Sequence, residues 1–326
     1  MGKRRVRNLL SLGYQDIVGF DIRKDRRNEA SSKYGIETVS SLKDALARNP
    51  EAMIISTPPD LHAKYANIAI DNEIHFFTEV NLFSAEIRKI LNRLKGKKIV
   101  GSPSCTMLYH PVVKELKKII DRKKMGKILT VYHHYGHYLP NWHPWEDYRD
   151  FYVSKRKTGA AREIVPFELI WLTKLFSEVK SVYGDIAKVS NLKADIDDVY
   201  QIFIEFRNGI KCILVIDVFS RPPFSETKII GEKGAILCEY NNPLIKIGKE
   251  KTWKTIKLKM DKVAKGYKGN IISDSIYEHE IYNFLNAIKN GNKLSFSFMD
   301  ELKILEILDA IETSGRNHRQ FTVKPN

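Results

Sequence analysis

The chain has 326 residues, 43% of them hydrophobic, and a formal net charge of +15 at pH 7. Its apolar content excludes a disordered protein and suffices for two domains with their own cores. No run approaches the ~20 apolar residues of a membrane-spanning helix, and no apolar stretch follows Lys3, Arg4, Arg5 and Arg7 as it would in a signal peptide, so a cytoplasmic protein with no membrane partner is expected.

Positive charge can serve nucleic acid, but the basic clusters at 95–98, 122–124 and 155–157 fall at turns and element ends. No basic helix carries interleaved stacking aromatics, so a solvated surface is expected, with general attraction of anionic substrates next and nucleic acid behind that. Cys105, Cys212 and Cys238 are odd in number and widely spaced, which fits packing residues rather than disulfides or a metal site.

Helical spacing at Val6, Leu9 and Leu10 with a stop at Gly13 predicts a first helix, followed by a short apolar strand at 16–21. A helix over 26–34, a strand at 37–39, a helix over 41–48 and a buried-type strand at 52–56 come next. Asp60 is placed to cap a helix through His62, Tyr65, Ile68 and Ala69. A strand at 75–78, a helix at 85–94 and a strand at 98–101 end the alternation, which predicts a parallel sheet covered on both faces. Beyond 105 the rhythm changes. A helix over 111–122, the strand-like GKILTVYHHYGHY, an aromatic loop LPNWHPWEDYRDFY and a helix over 162–176 precede two long strands, 199–207 and 210–219, joined by Asn208-Gly209, a strong hairpin signal. Strand-like runs at 227–230, 235–240, 244–247 and 253–260 and helices at 275–289 and 300–314 complete an α+β domain on an open antiparallel sheet. The division is placed at 1–104 and 105–326.

In a dinucleotide fold the first strand enters a glycine-rich turn against the pyrophosphate, and an acidic residue about 20 positions later holds a ribose hydroxyl. Asp21 ends IVGFD nineteen residues after Gly2. Gly2 thus fits the third glycine of a Rossmann-like, doubly wound unit, whose first strand and two earlier glycines are then expected to be missing. By themselves, an accidental glycine and a strand-end turn aspartate explain these two residues better.

The stretch AMIISTPPDLHAKYANIAIDNEIHFFTEVNLF resembles the Gfo/Idh/MocA family, the glucose-fructose oxidoreductase and inositol dehydrogenase group. So do WHPWEDYR, FELIWLTKLF and the C-terminal YEHEIYNFLNAIKNG and DELKILEILDAIETS. The resemblance covers essentially the whole chain and implies a two-domain NAD(P)-dependent oxidoreductase of sugars or nucleotide sugars. It implies Gly2 and Lys3 at the pyrophosphate turn and Asp21 and Arg23 near the adenosine ribose. Ser56, Thr57, Pro58 and His62 then follow a strand beside the cofactor, and Glu79 and Asn81 lie beside the nicotinamide. Asp21 favours NAD, since a 2′-phosphate would meet its charge; Arg23 leaves NADP open.

Two departures bear on activity. The family's Glu-Lys-Pro tripeptide is Glu79-Val80-Asn81 here, and its acid with histidine four residues later is Glu163 with Phe167. Candidates for the missing proton carrier are Glu163, His143 and Tyr148, each with a structural explanation as well. Arg149 and Arg162 suit an anionic substrate, and Trp142, with Trp145, a sugar face. The alternative is a catalytically impaired sugar-binding or regulatory homologue that keeps the fold. The family's open sheets often pair face to face. The apolar alternation of Ile202, Ile204, Phe206, Ile213, Val215 and Val218 allows such homo-oligomers, and equally allows burial under the chain's own helices.

Overall fold

Helices and short strands alternate over the first hundred residues of the computed structural model, which describes residues 1–260 and 273–324. The chain divides into two units, Met1–Ser104 with Asp274–Glu301, and Cys105–Ser273 with Leu302–Asn326. A cut at residue 104 alone assigns all of 105–326 to the second domain, whereas the segment 274–301 belongs with the first. The cause is helix α8 (Ser275–Asn290), whose Ile281 and Phe284 bury themselves with Phe77, while Leu9, Leu12 and Ile54 pack around them.

In the first unit, α1 (Gly2–Ser11), β1 (Val18–Phe20), α2 (Lys24–Tyr34), β2 (Glu37–Val39), α3 (Leu42–Leu46), β3 (Ala52–Ile55), α4 (His62–Asp71), β4 (His75–Thr78), α5 (Ser84–Leu94) and β5 (Gly101–Pro103) follow in order. Every strand pair is parallel, in two ribbons, β1–β2 and β3–β4–β5. Among the described residues no strand hydrogen-bonds to both ribbons. Asp60 does not cap α4: Pro59–Leu61 form a 3-10 turn, and His62 opens the helix behind Leu61. Proline fits a first helical turn, so Pro59 starts the turn one step ahead of the expected cap.

The second unit is built on β6 (Ile128–Gly136), β7 (Val179–Ala187), β8 (Val199–Phe206), β9 (Lys211–Asp217), β10 (Phe224–Gly231), β11 (Gly234–Glu239), β12 (Leu244–Lys249), β13 (Thr252–Lys257) and β14 (Phe321–Thr322). They form one sheet in the order β13-β12-β11-β10-β6-β9-β8-β7-β14. Neighbours are antiparallel except β6 and β9, which run parallel and make the sheet mixed. Helices α6 (Pro111–Asp121) and α7 (Ala160–Phe176), with α9 (Phe298–Asn317) entering from residue 302, complete the unit.

Strand alternation separates the two faces of this sheet. Ile202, Ile204, Phe206, Leu214 and Ile216 are buried, whereas Phe203, cross-strand from Ile213, is 53% exposed and Tyr132 is 42% exposed. On the buried face, Gly184 admits α9: a Cβ there would lie 2.8 Å from the Ile311 carbonyl oxygen, and its N–H donates to Ser314 Oγ at 3.0 Å. A buried polar chain crosses the same layer. His133 Nε2 lies 2.9 Å from Glu168 Oε2, Trp171 Nε1 donates to that oxygen at 2.5 Å, and Thr227 Oγ1 links His133 Nδ1 (2.8 Å) to the Tyr240 hydroxyl (2.9 Å).

Candidate active site

The carboxyl ends of parallel strands collect backbone groups and the side chains just beyond them. Here Asp21 follows β1, Ser56 and Thr57 follow β3, and Glu79 follows β4. Glu79 N–H donates to the Ile55 carbonyl at 3.2 Å and Ser56 Oγ to Glu79 Oε1 at 3.1 Å, so the turns after β3 and β4 are tied together.

Glu79 is held by Arg5, which α1 points inward. The Arg5 guanidinium, 2% exposed, grips Glu79 with Nε to Oε1 at 2.8 Å and Nη2 to Oε2 at 2.7 Å. The same Nη2 donates to Glu280 Oε2 at 2.8 Å, whose Oε1 accepts from Ser104 Oγ at 2.9 Å. The guanidinium carbon sits 4.7 Å from the Phe77 ring centre and 5.4 Å from that of Tyr277. Burial alone would raise the Glu79 carboxyl, but the Arg5 charge and hydrogen bonds outweigh it and hold it below the ordinary carboxylate value. Burial likewise acts to lower the Arg5 value, and the two carboxylates reverse that, so Arg5 stays charged.

A second buried network lies beside the first. His62, 1% exposed, places Nε2 at 2.9 Å from the Thr57 carbonyl and Nδ1 at 3.1 Å from the Asn81 side-chain amide. That amide also reaches Thr78 Oγ1 at 2.8 Å and the Glu301 carboxyl at 2.9 and 3.1 Å, while Asn81 backbone N–H donates to Glu301 Oε1 at 3.2 Å. Burial lowers the His62 value and pushes the Glu301 carboxyl up to about 8.

The residues assigned to the dinucleotide divide. Ser56, Thr57, His62, Glu79 and Asn81 meet in these networks, and Pro58 leads into the turn beside them in an extended conformation (ψ 149°). Asp21 Oδ1 accepts the Arg23 backbone N–H at 2.8 Å, with Arg26 at 4.0 Å from its other oxygen. The Arg23 guanidinium turns to Asp25, and Lys3 pairs with Glu29 at 2.7 Å on the surface. A dinucleotide fits these strand ends. Thr57 Oγ1 is buried without a hydrogen-bond partner, and a Cβ on Gly2 would meet only Ser56 Cβ, at 3.9 Å, so the space beside this glycine is open.

In the second unit, His143 Nδ1 lies 2.8 Å from Glu146 Oε1, and its ring stacks on Trp145 and Phe151, each at 5.0 Å. Phe151 adjoins Tyr152, whose hydroxyl donates to Glu163 Oε1 at 3.1 Å, so His143 and Glu163 end one connected aromatic run. Tyr148 is engaged elsewhere, its hydroxyl accepting the Lys193 N–H at 3.0 Å. Trp142 packs on His137 with its indole N–H buried and without a hydrogen-bond partner. Arg149 is exposed and paired with Asp147. Arg162 is buried, donating to Glu312 at 2.5 Å and to the Lys157 carbonyl at 2.9 Å, so its fork is filled by the protein itself.

Sequence reasoning missed Arg5, Glu280 and Glu301, and it missed His134, held at 2.8 Å by Asp217, a carboxylate that also accepts from Ser220 Oγ at 2.8 Å. The first three carried a weak signal only: one basic residue among four near the start, and two acids in helices with no partner in view.

The oxidoreductase family model with an NAD-binding Rossmann fold (GFO/IDH/MocA) matches residues 1–100, and the GFO/IDH/MocA C-terminal domain model matches residues 113–237. Compared by sequence with curated proteins, the chain matches none. Solved structures resemble it over nearly its full length. Levoglucosan dehydrogenase in complex with NADH and levoglucosan is 19% identical with a TM-score of 0.85, covering 100% of this chain and 97% of the other. An oxidoreductase from Agrobacterium radiobacter in complex with NAD+, L-tartaric acid and magnesium is 12% identical with a TM-score of 0.88, covering 98% and 95%. The WlbA dehydrogenase from Bordetella pertussis in complex with NADH and UDP-GlcNAcA is 18% identical with a TM-score of 0.81, covering 100% and 96%. With both domain models matched in chain order and the strand-end site in place, the chain belongs to the GFO/IDH/MocA family of oxidoreductases with an NAD-binding Rossmann fold.

Proposed function

We propose that this protein is an NAD(H)-dependent oxidoreductase of a hydroxyl group on a sugar or nucleotide sugar, acting in the cytoplasm. The observation that carries this reading is the joined turns after β3 and β4, where Ser56 Oγ donates to Glu79 and the Thr57 hydroxyl is buried beside them, in a chain of this family. The substrate class draws support from the levoglucosan and UDP-GlcNAcA complexes of structural neighbours.

When bound, nicotinamide supplies the carbon that gives or takes a hydride. The chain's own residues bind and move the proton. Asp21 accepts ribose hydroxyls, and a 2′-phosphate would be repelled there; Arg23, turned to Asp25, does not offset this, so NAD is preferred. Thr57 Oγ1 offers a buried hydroxyl to the cofactor. Val80 is buried, 2% exposed, and carries no proton, so the hydroxyl proton passes to another group. Glu163, already accepting from Tyr152, is our assignment, with His143 at the other end of the aromatic run and Tyr148 third. Trp142 lends a sugar-facing ring and N–H. Arg149 remains an exposed anion contact, whereas Arg162, committed to Glu312, serves to hold the start of α7. The open sheet face around Phe203 and Tyr132 is proposed to pair with a second copy of the chain.

Fluorescence titration tests the cofactor reading. NADH is expected to bind with saturation and at least tenfold more tightly than NADPH, and Asp21→Ala to weaken it about tenfold, the worth of a charge-assisted hydrogen bond. Absence of saturable binding of either nucleotide refutes it. In turnover assays on sugars and nucleotide sugars, Glu163→Gln is expected to lower kcat by about 10²- to 10⁴-fold. NADH binding with no turnover on any of them would instead assign the chain to the binding-only class.

A further inference from the structure

The buried His62, Asn81 and Glu301 side chains hold a set of donors and acceptors whose parity fixes a proton count. The Thr57 carbonyl can only accept, so His62 Nε2 carries a hydrogen. His62 Nδ1 faces one end of the Asn81 amide; the other end faces Thr78 Oγ1 and the Glu301 carboxyl. Asn81 backbone N–H donates to Glu301 Oε1 throughout.

Two arrangements satisfy every group. In one, an imidazolium donates to the amide oxygen and the amide nitrogen donates to a carboxylate. In the other, the amide is turned about, its nitrogen donates to a neutral imidazole, and its oxygen accepts from Thr78 and from a protonated Glu301. Both hold the same number of protons. Removing one proton leaves an amide oxygen facing the His62 lone pair, and the bond between His62 and Asn81 is lost.

The geometry assigns Glu301 as a positioning residue: one proton shared across Glu301, Asn81 and His62 fixes the turns after β3 and β4, and so the Thr57 and Glu79 groups that meet the dinucleotide. This role rests on the cofactor reading above; the shared proton itself does not. Burial acts on both titrating groups in the same sense, lowering His62 and raising Glu301 to about 8, which selects the neutral arrangement at pH 7. The charged side chains that act on His62 are Glu79, held in its ion pair with Arg5, and Asp60.

The test uses the full chain and Glu301→Gln. A glutamine reproduces protonated Glu301, since its NH2 donates to the Asn81 oxygen while its carbonyl accepts the Asn81 N–H, and it does not titrate. In cofactor-free protein, ¹⁵N NMR of the His62 ring is expected to show the neutral Nε2–H form at pH 7. The Nδ1 resonance should move with a midpoint near pH 8 in the wild type and stay fixed to pH 10 in E301Q. NADH affinity of the wild type should fall about fivefold to tenfold between pH 7 and pH 9.5, the worth of one hydrogen bond, and that of E301Q should not. A cationic His62 at pH 7, or identical pH profiles for the two proteins, overturns the proposal. Failure of both to bind NADH overturns the cofactor reading and the positioning role with it, while the His62 titration still decides the shared proton.

Discussion

A guanidinium removed from water is tolerable only with its charge matched, and Arg5 has two carboxylates, Glu79 and Glu280, in direct contact. Arg5→Met leaves both acids buried without their cation and is expected to destabilise the protein by about 3–5 kcal/mol, read from the urea midpoint at pH 7. Because Glu79 titrates below its ordinary value of 4.5, its contribution is present above that value and is lost as the pH falls through the lower folded one. Arg5→Met should abolish this acid-side loss. Glu301 acts in the opposite sense. Its value is raised, so its contribution is full below 4.5 and is lost as the pH rises through about 8. Glu301→Gln should therefore stabilise the fold by on the order of 3 kcal/mol at pH 8 and by almost nothing near pH 4.5. Local text revealed Glu79, Asn81 and His62 as neighbours of one site through the family motif. It could not reveal Arg5, Glu280 or Glu301, because their roles are pairings across more than 70 to 270 residues.

At the level of elements, the hairpin at Asn208-Gly209 was legible because the turn chemistry is local, with Gly209 at φ 89°. Strand β7 was not. Lys180, Ser181, Gly184 and Asp185 dilute its apolar alternation, and the strand exists because β8 and α9 cover it. The parallel match of β6 with β9 was hidden for the same reason, being set by strands far apart in the chain. Gly184→Val tests the approach of α9. A side chain placed 2.8 Å from a backbone oxygen forces the helix off the sheet, with an expected cost of about 1–3 kcal/mol in the urea midpoint.

For the whole molecule, the alternation in β8 and β9 was ambiguous in sequence between helix cover and self-association. The structure divides it: Ile202, Ile204 and Phe206 lie on the covered face, and Ile213 and Val215 lie on the same face as half-exposed Phe203. Light scattering is expected to give a dimer, and Phe203→Glu to give a monomer that still binds NADH; an unchanged mass would remove the sheet face from consideration. The return of residues 274–301 to the first unit has a consequence for biosynthesis. Arg5 leaves the ribosome 275 residues ahead of Glu280, an interval of roughly 15–55 s at ordinary elongation rates. Throughout it the nascent amino-terminal segment lacks a helix of its own core, and a fragment ending at residue 104 should be recovered aggregated.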